Sequence, residues 1–247
     1  MASENAQDYE VVWTRPERAG KGPAPSHSRA EITAAAIALA DSEGIDAVSM
    51  RRVAAKLGAG TGTLYRYLSR KDDLIDLMVD AVEGEDGGPA PLSGDWRQDL
   101  RAFAHRARSI MLRHPWVAVL AAGRPTLGPN GLRLAEHTLD AIAELGLTID
   151  DMLVSVETLQ AFVRGYTLGE LAEQEAIRRS GLDRDQWMAA HAPYLQKIIA
   201  DGRHPLVARV VLDAESPHAD PGDERGFALG LERILDGLSA ILPPLRT

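Results

Sequence analysis

Residues 49–68 allow little besides two short helices set across a tight turn. Ser49 stands as an N-cap before MRRVAAKL, in which Met50, Val53, Ala54 and Leu57 share one face, and Gly58 stops the element. After Ala59 and Gly60, the run TGTLYRYL puts Leu64 and Leu68 on one side of a second short helix. The spacing has a steric reason: Ala54 is small where the helices cross, Gly58 permits a left-handed turn, and Leu64 packs the second helix back on the first. This is the helix-turn-helix arrangement.

Charge separates this segment from an amphipathic pair buried in a bundle. The chain of 247 residues has a net charge of −9, which taken alone speaks against a nucleic-acid partner. Its distribution says otherwise. Residues 1–71 hold 10 Lys and Arg against 8 Asp and Glu, while residues 72–247 hold 17 against 28. Within 49–71 stand Arg51, Arg52, Lys56, Arg66, Arg70 and Lys71 with no acid at all. A polyanion is the natural partner of such a segment.

The remaining composition narrows the class further. There is no cysteine, which removes disulfides, thiol nucleophiles and cysteine-held metals. No run of eighteen apolar residues occurs and the N-terminus lacks the basic-then-apolar pattern of an export signal, so the expected compartment is the cytoplasm. No HExxH, GxSxG or assembled nucleophile, base and orienter is present, and an enzyme is not expected. GAGTG at 58–62 is a partial dinucleotide fingerprint without its preceding strand.

Helical periodicity organises most of the chain. Ile32, Ala36, Leu39 and Ala40 mark a first helix from Ser28 to Gly44. A fourth follows Ser69 and runs to about Gly84, and EDGGPAPLSGD is a loop. Later helices are expected at 95–112, 116–122, 128–145, 149–178, 184–200 and 223–242, with no hairpin signal between them. The fold class is therefore all-α. The expected division is a flexible basic arm over 1–26, carrying Arg15, Arg18 and Lys21, a DNA-binding unit over 27–73, and a larger helical part over 74–247. An arm of this kind can follow the DNA backbone or enter a minor groove. Val154, Leu159, Phe227, Leu231, Ile234 and Leu238 on two late helices suggest a self-packing dimer bundle. Among the histidines, His105 and His137 fall opposite apolar stripes, whereas His191 shares a face with Trp187, Tyr194 and Ile198 and is either a core histidine or a pocket donor.

LGAGTGTLYRYLSRKDDL, with VSMRRVAAK before it, resembles the signature of the TetR family of one-component regulators over about residues 28–83. DWRQDL, GRPT at 123–126, YTLGELAEQE at 166–175 and FALGLERILDGL at 227–238 resemble the tetracycline-repressor branch. The resemblance implies a homodimer whose recognition helices enter successive major grooves, with a C-terminal part that dimerises and binds a small molecule. Carried over by position, Arg51, Thr61, Gly62 and Tyr65 would read bases, and Thr63, Tyr67 and Lys71 would hold phosphates. Ser49 and Arg66 join this set of DNA contacts. The chemistry agrees: Arg51 can fork onto guanine, Thr61 offers a methyl to thymine, and Gly62 lets the backbone come close.

For the effector, the resemblance implies a pocket including Phe103, Ala107, Leu120, Arg124, Pro125, Phe162, Tyr166, Glu173 and His191. Leu120 stands where the branch has a magnesium-ligating histidine, Gly87 near a second one, and Phe103 at a polar pocket position. No metal or other cofactor is therefore expected, and an aromatic or polyketide-like ligand is. The expectation is a ligand-responsive repressor. The alternatives are a helical carrier or enzyme without a DNA role, which would bind no palindromic DNA, and an effector-independent DNA-binding protein.

Overall fold

The computed structural model describes residues 10–15, 27–120, 127–214 and 224–242. Among them are eleven α-helices and no strand: α1 (Arg29–Glu43), α2 (Met50–Lys56), α3 (Thr61–Leu64), α4 (Lys71–Glu83), α5 (Trp96–Arg113), α6 (Pro115–Leu120), α7 (Pro129–Asp140), α8 (Ile149–Ser180), α9 (Arg184–Ala200), α10 (Pro205–Asp213) and α11 (Glu224–Ile241). The all-α expectation holds. The first compact unit extends to Gln160 and the second covers Ala161–Ile241. Within the first unit, α4 packs on both α1 and α7 and so joins the α2–α3 pair to a larger helical body.

Local signals set the helix ends. Ser28 Oγ accepts from the Glu31 N–H at 3.1 Å while Glu31 Oε2 accepts from the Ser28 N–H at 2.7 Å, a complete capping box for α1. Ser49 Oγ accepts from the Arg52 N–H at 3.3 Å and starts α2. That helix closes as a Schellman motif: Ala59 N–H donates to Ala54 O at 2.9 Å, Gly58 N–H donates to Ala55 O at 3.1 Å, and Gly58 adopts φ +67°. A side chain there would be strained, so glycine is required by backbone geometry. Ile32, Ala36, Val53, Ala54, Leu64, Leu68, Leu74 and Met78 then fill one buried core.

Three elements differ from expectation. The recognition helix is only Thr61–Leu64, and residues 65–67 continue as turns. The helix expected over 128–145 stops at Asp140, and Ala143–Leu145 forms a 3-10 turn before Gly146 in the left-handed region. Helix α10 was not anticipated, although Pro205 at its first turn is a start signal. Helices α9 and α10 contain no buried residue.

The expected dimer residues divide in the same way. Val154 is 61% exposed, and Ile234 and Leu238 are half-buried. Leu159, Phe227 and Leu231 are fully buried within the protomer, so they are core and not an open dimer face. The apolar pattern shows that a face must be covered; it does not show what covers it.

Candidate nucleic-acid interface and effector residues

The candidate reading surface lies on α2 and α3. Arg51 is exposed, and its neighbour Arg52 is held away from it by Glu43, with Nη2 at 2.6 and 2.7 Å from the two carboxylate oxygens. Tyr65 is 54% exposed; Gly62, Arg66 and Lys71 are exposed, and Thr61 and Thr63 are half-buried. Ser49 is half-buried and already accepts from the Arg52 N–H in the first turn of α2, which leaves its hydroxyl proton for another acceptor. A Cβ built at Gly60 or Gly62 meets nothing within 4 Å. The fold does not need glycine at 62, whereas a surface that lets DNA approach the main chain does.

This separates folding from binding. Gly62→Ala should leave stability unchanged or raise it by about 0.4–1 kcal/mol, because it restricts the unfolded chain. It should nevertheless weaken DNA binding. Parent-like affinity in this variant would mean that close main-chain approach is not used.

Two expected DNA contacts are placed otherwise. Tyr67 is only 7% exposed and belongs to the core of the first unit, so most of its ring packs beneath the turn after α3 instead of standing on the open surface. Arg15 is not on a loose arm: its guanidinium is bonded to Ser69 and paired with the buried Asp73. Burial pushes the Asp73 carboxyl up, but Arg15, the Ser69 N–H and Arg70 outweigh it and hold it below the ordinary aspartate value. Arg18 and Lys21 lie outside the described residues.

Behind the reading head, α4 meets α7 through one carboxylate. Asp80, 4% exposed, accepts from the Asn130 N–H at 2.9 Å and the Gly131 N–H at 3.0 Å, and so caps α7 from another helix. Asn130 Nδ2 donates to the Asp80 carbonyl at 3.0 Å. One turn further on, burial, and then the Asp80 charge, push the Glu83 carboxyl up to about 7 against the opposing pull of Arg106. The folded state therefore holds an extra proton between the ordinary glutamate value and about pH 7, and the stability tied to it is lost as pH rises through that window. Glu83→Gln should be about 1–3 kcal/mol more stable than the parent at pH 8 and little different at pH 4.5. Equal pH profiles from denaturant titrations would contradict this.

A second link was not anticipated, since no local motif surrounds it. His114, 5% exposed at the end of α5, places Nδ1 2.8 Å from Asp41 Oδ1 on α1 and Nε2 3.1 Å from Glu85 Oε1. Trp116 Nε1 donates to the same Asp41 oxygen at 2.7 Å. The α5–α6 junction is thereby anchored to α1.

The expected effector residues fall in both units. In the first, Phe103 is buried, Ala107 is half-buried, and Leu120 packs half-buried against the core. Arg124 and Pro125 lie outside the described residues. In the second, Phe162, Tyr166 and Phe227 form one aromatic cluster with ring centroids 5.4–5.9 Å apart. The Phe162 ring sits where Gly230 leaves room, 2.7 Å from the position a Cβ there would take. Glu173 Oε1 is 3.2 Å from Arg184 Nη2. His191, half-buried on a helix with no buried residue, stacks on Trp187 at 3.9 Å between ring centroids and its Nδ1 donates to the Trp187 carbonyl at 2.7 Å. Among the described residues no three His, Asp or Glu side chains converge as a metal site, and no helix is long and apolar enough to cross a membrane.

A short glycine-turned helix pair in a stretch without acids from 49 to 71, carried on a larger helical body, defines a helix-turn-helix regulator of transcription. Residues 32–78 match the family described as bacterial regulatory proteins, tetR family, and residues 88–242 match the tetracyclin repressor-like C-terminal domain. The chain belongs to the TetR family, and its function is that of a DNA- and ligand-binding transcriptional repressor, not an enzyme. It is 38% identical over 242 residues to the HTH-type transcriptional repressor DrrR1 of Streptomyces coeruleorubidus, covering 98% of this chain and 88% of that protein. It is 25% identical over 215 residues to the class E tetracycline repressor of Escherichia coli, covering 86% of this chain and 90% of that one. The crystal structure of ActR from Streptomyces coelicolor in complex with actinorhodin is similar with a TM-score of 0.73 at 28% identity, covering 88% of this chain and 97% of that one.

Proposed function

We propose that the protein is a homodimeric repressor that grips an inverted-repeat operator through two copies of the α2–α3 head and releases it on binding an aromatic, polyketide-like effector. The observation that carries the DNA half is the open surface of Arg51, Gly62 and Tyr65 in a segment with no acid between 49 and 71. Arg51, Thr61, Gly62 and Tyr65 serve base recognition, and Thr63, Arg66 and Lys71 the backbone.

Dimerisation is supported by apolar side chains that stand half or more exposed among the described residues, Val154 on α8 and Leu229 and Ile241 on α11. The effector reading is supported by the similarity to ActR, crystallised with actinorhodin, and by the chemistry of two expected pocket positions: Leu120 is apolar and Glu173 is paired with an arginine.

Selection of bound fragments from a random DNA pool, followed by footprinting and sedimentation, tests the first half. A symmetric footprint held by a dimer is expected, and an asymmetric one held by a monomer would overturn it. For the second half, actinorhodin without magnesium should release the fragment at lower concentration than tetracycline with magnesium. The reverse order would overturn the metal-free reading.

A further inference from the structure

The segment before α1 shows no apolar period, yet Glu10–Arg15 lies folded on the first unit. Val12 is 1% exposed and belongs to the core, and Arg29 Nη1 donates to the carbonyls of Val12 at 3.2 Å and Arg15 at 2.9 Å. The Thr14 N–H closes a turn on Val11 O at 3.2 Å. At one end of this segment, Arg15 meets Asp73 on the first turn of α4, the helix that follows the recognition helix. Asp73 is 1% exposed and also accepts from the Ser69 N–H at 2.8 Å and Arg70 Nε at 3.1 Å. Arg15 is the donor that comes from outside Asp73's own turn.

Trp13, two residues earlier, makes the second contact. A Cβ at Gly128, the residue before α7, would lie 2.7 Å from Trp13 Cζ2 and closer still to Asp80 Oδ1. The indole, the capping carboxylate and the start of α7 therefore meet with no room to spare. Trp13 also walls a cleft of about 320 Å³, with Ile37, Leu77, Asp80 and Asn130 among its other linings. Trp13 and Arg15 are two residues apart in the turn that the Thr14 N–H closes, so at most about 7 Å of chain joins them. A displacement of α7 that carries Trp13 therefore bears on the Arg15–Asp73 pair.

We propose that Glu10–Arg15 is a tether that sets the pose of the reading head, with Trp13 registering where α7 begins and Arg15 holding the start of α4. Trp13 and Arg15 are then positioning residues and not DNA contacts. This rests on the reading of the chain as an operator-binding regulator. It replaces the expectation of a basic arm on the phosphates for the one arm arginine the structure describes.

The test uses the full chain and the DNA fragment retrieved by pool selection, titrated at several salt concentrations. Arg15→Gln and Trp13→Ala should each weaken binding by about two- to thirtyfold. The slope of log affinity against log salt should stay that of the parent, because no phosphate contact is lost. The double variant should be no weaker than the weaker single one, since both cut the same link, and Trp13→Phe should restore most of the affinity. Helical dichroism checks folding, and if Trp13→Ala unfolds, Arg15→Gln at the rim of the site decides.

Unchanged affinity in both single variants, or losses that multiply in the double variant, would overturn the tether. So would a salt slope flattened by about 2 in Arg15→Gln, the mark of one lost phosphate contact per protomer of a dimer. If the parent chain retains no DNA, the regulator reading fails and the tether with it. That outcome is separate from a parent that binds and variants that bind equally well.

Discussion

Arg51→Ala is expected to lower operator affinity by about 2–6 kcal/mol, the loss of one base contact of about 1–3 kcal/mol in each of two half-sites. The adjacent Arg52 supplies the control. Its guanidinium is spent on Glu43 in an exposed ion pair, worth about 0–1 kcal/mol to stability, so Arg52→Ala should leave recognition nearly intact. Arg51→Ala should also relax the preference for the base pair it touches, whereas Lys71→Ala should weaken all sequences alike and flatten the salt slope. Titrations on the selected fragment and on single-base variants read both effects. Equal losses for Arg51→Ala and Arg52→Ala would place base recognition elsewhere.

The second large effect is on stability. Asp80→Ala should cost about 2–4 kcal/mol, because the half-buried N–H groups of Asn130 and Gly131 lose a charged acceptor and Gly128, the N-cap of α7, has no side chain to replace it. The same substitution removes one of the two causes that raise the Glu83 carboxyl, so the loss of stability between pH 5 and about 7 should shrink in the variant. Denaturant titrations across that range measure both. A cost under about 0.5 kcal/mol would mean that α7 is not held through Asp80.

The helix-turn-helix was legible because its determinants are local. Ser49, Gly58 and Leu64 each act within a few residues of chain, and the structure uses them as cap, turn and packing residue. Tyr67 shows the limit of a positional argument: it sits in the family signature, yet its ring is swallowed by the core. The tether was hidden for a different reason. Val12, Trp13 and Arg15 lie in a segment without period, and what orders them, Arg29, Asp73 and Gly128, stands up to 115 residues away in the same chain. His114 escaped notice in the same way, since its partners Asp41 and Glu85 are distant in sequence. For Leu159, Phe227 and Leu231, periodicity identified a face that must be covered and left open whether a partner or the protomer itself covers it.

Gly60 and Gly62 have one more consequence. Both sites face open space, neither has a backbone conformation that excludes other residues, and Gly60 precedes α3 as a helix cap without a capping side chain. Serine or aspartate at 60 would add the absent capping bond, offsetting what other changes nearby remove. Side chains introduced at 62 project from the reading surface without disturbing the scaffold beneath. The head is thus an engineering chassis: libraries at these two positions can be screened for new operators, yielding sets of mutually orthogonal switches from one unaltered body.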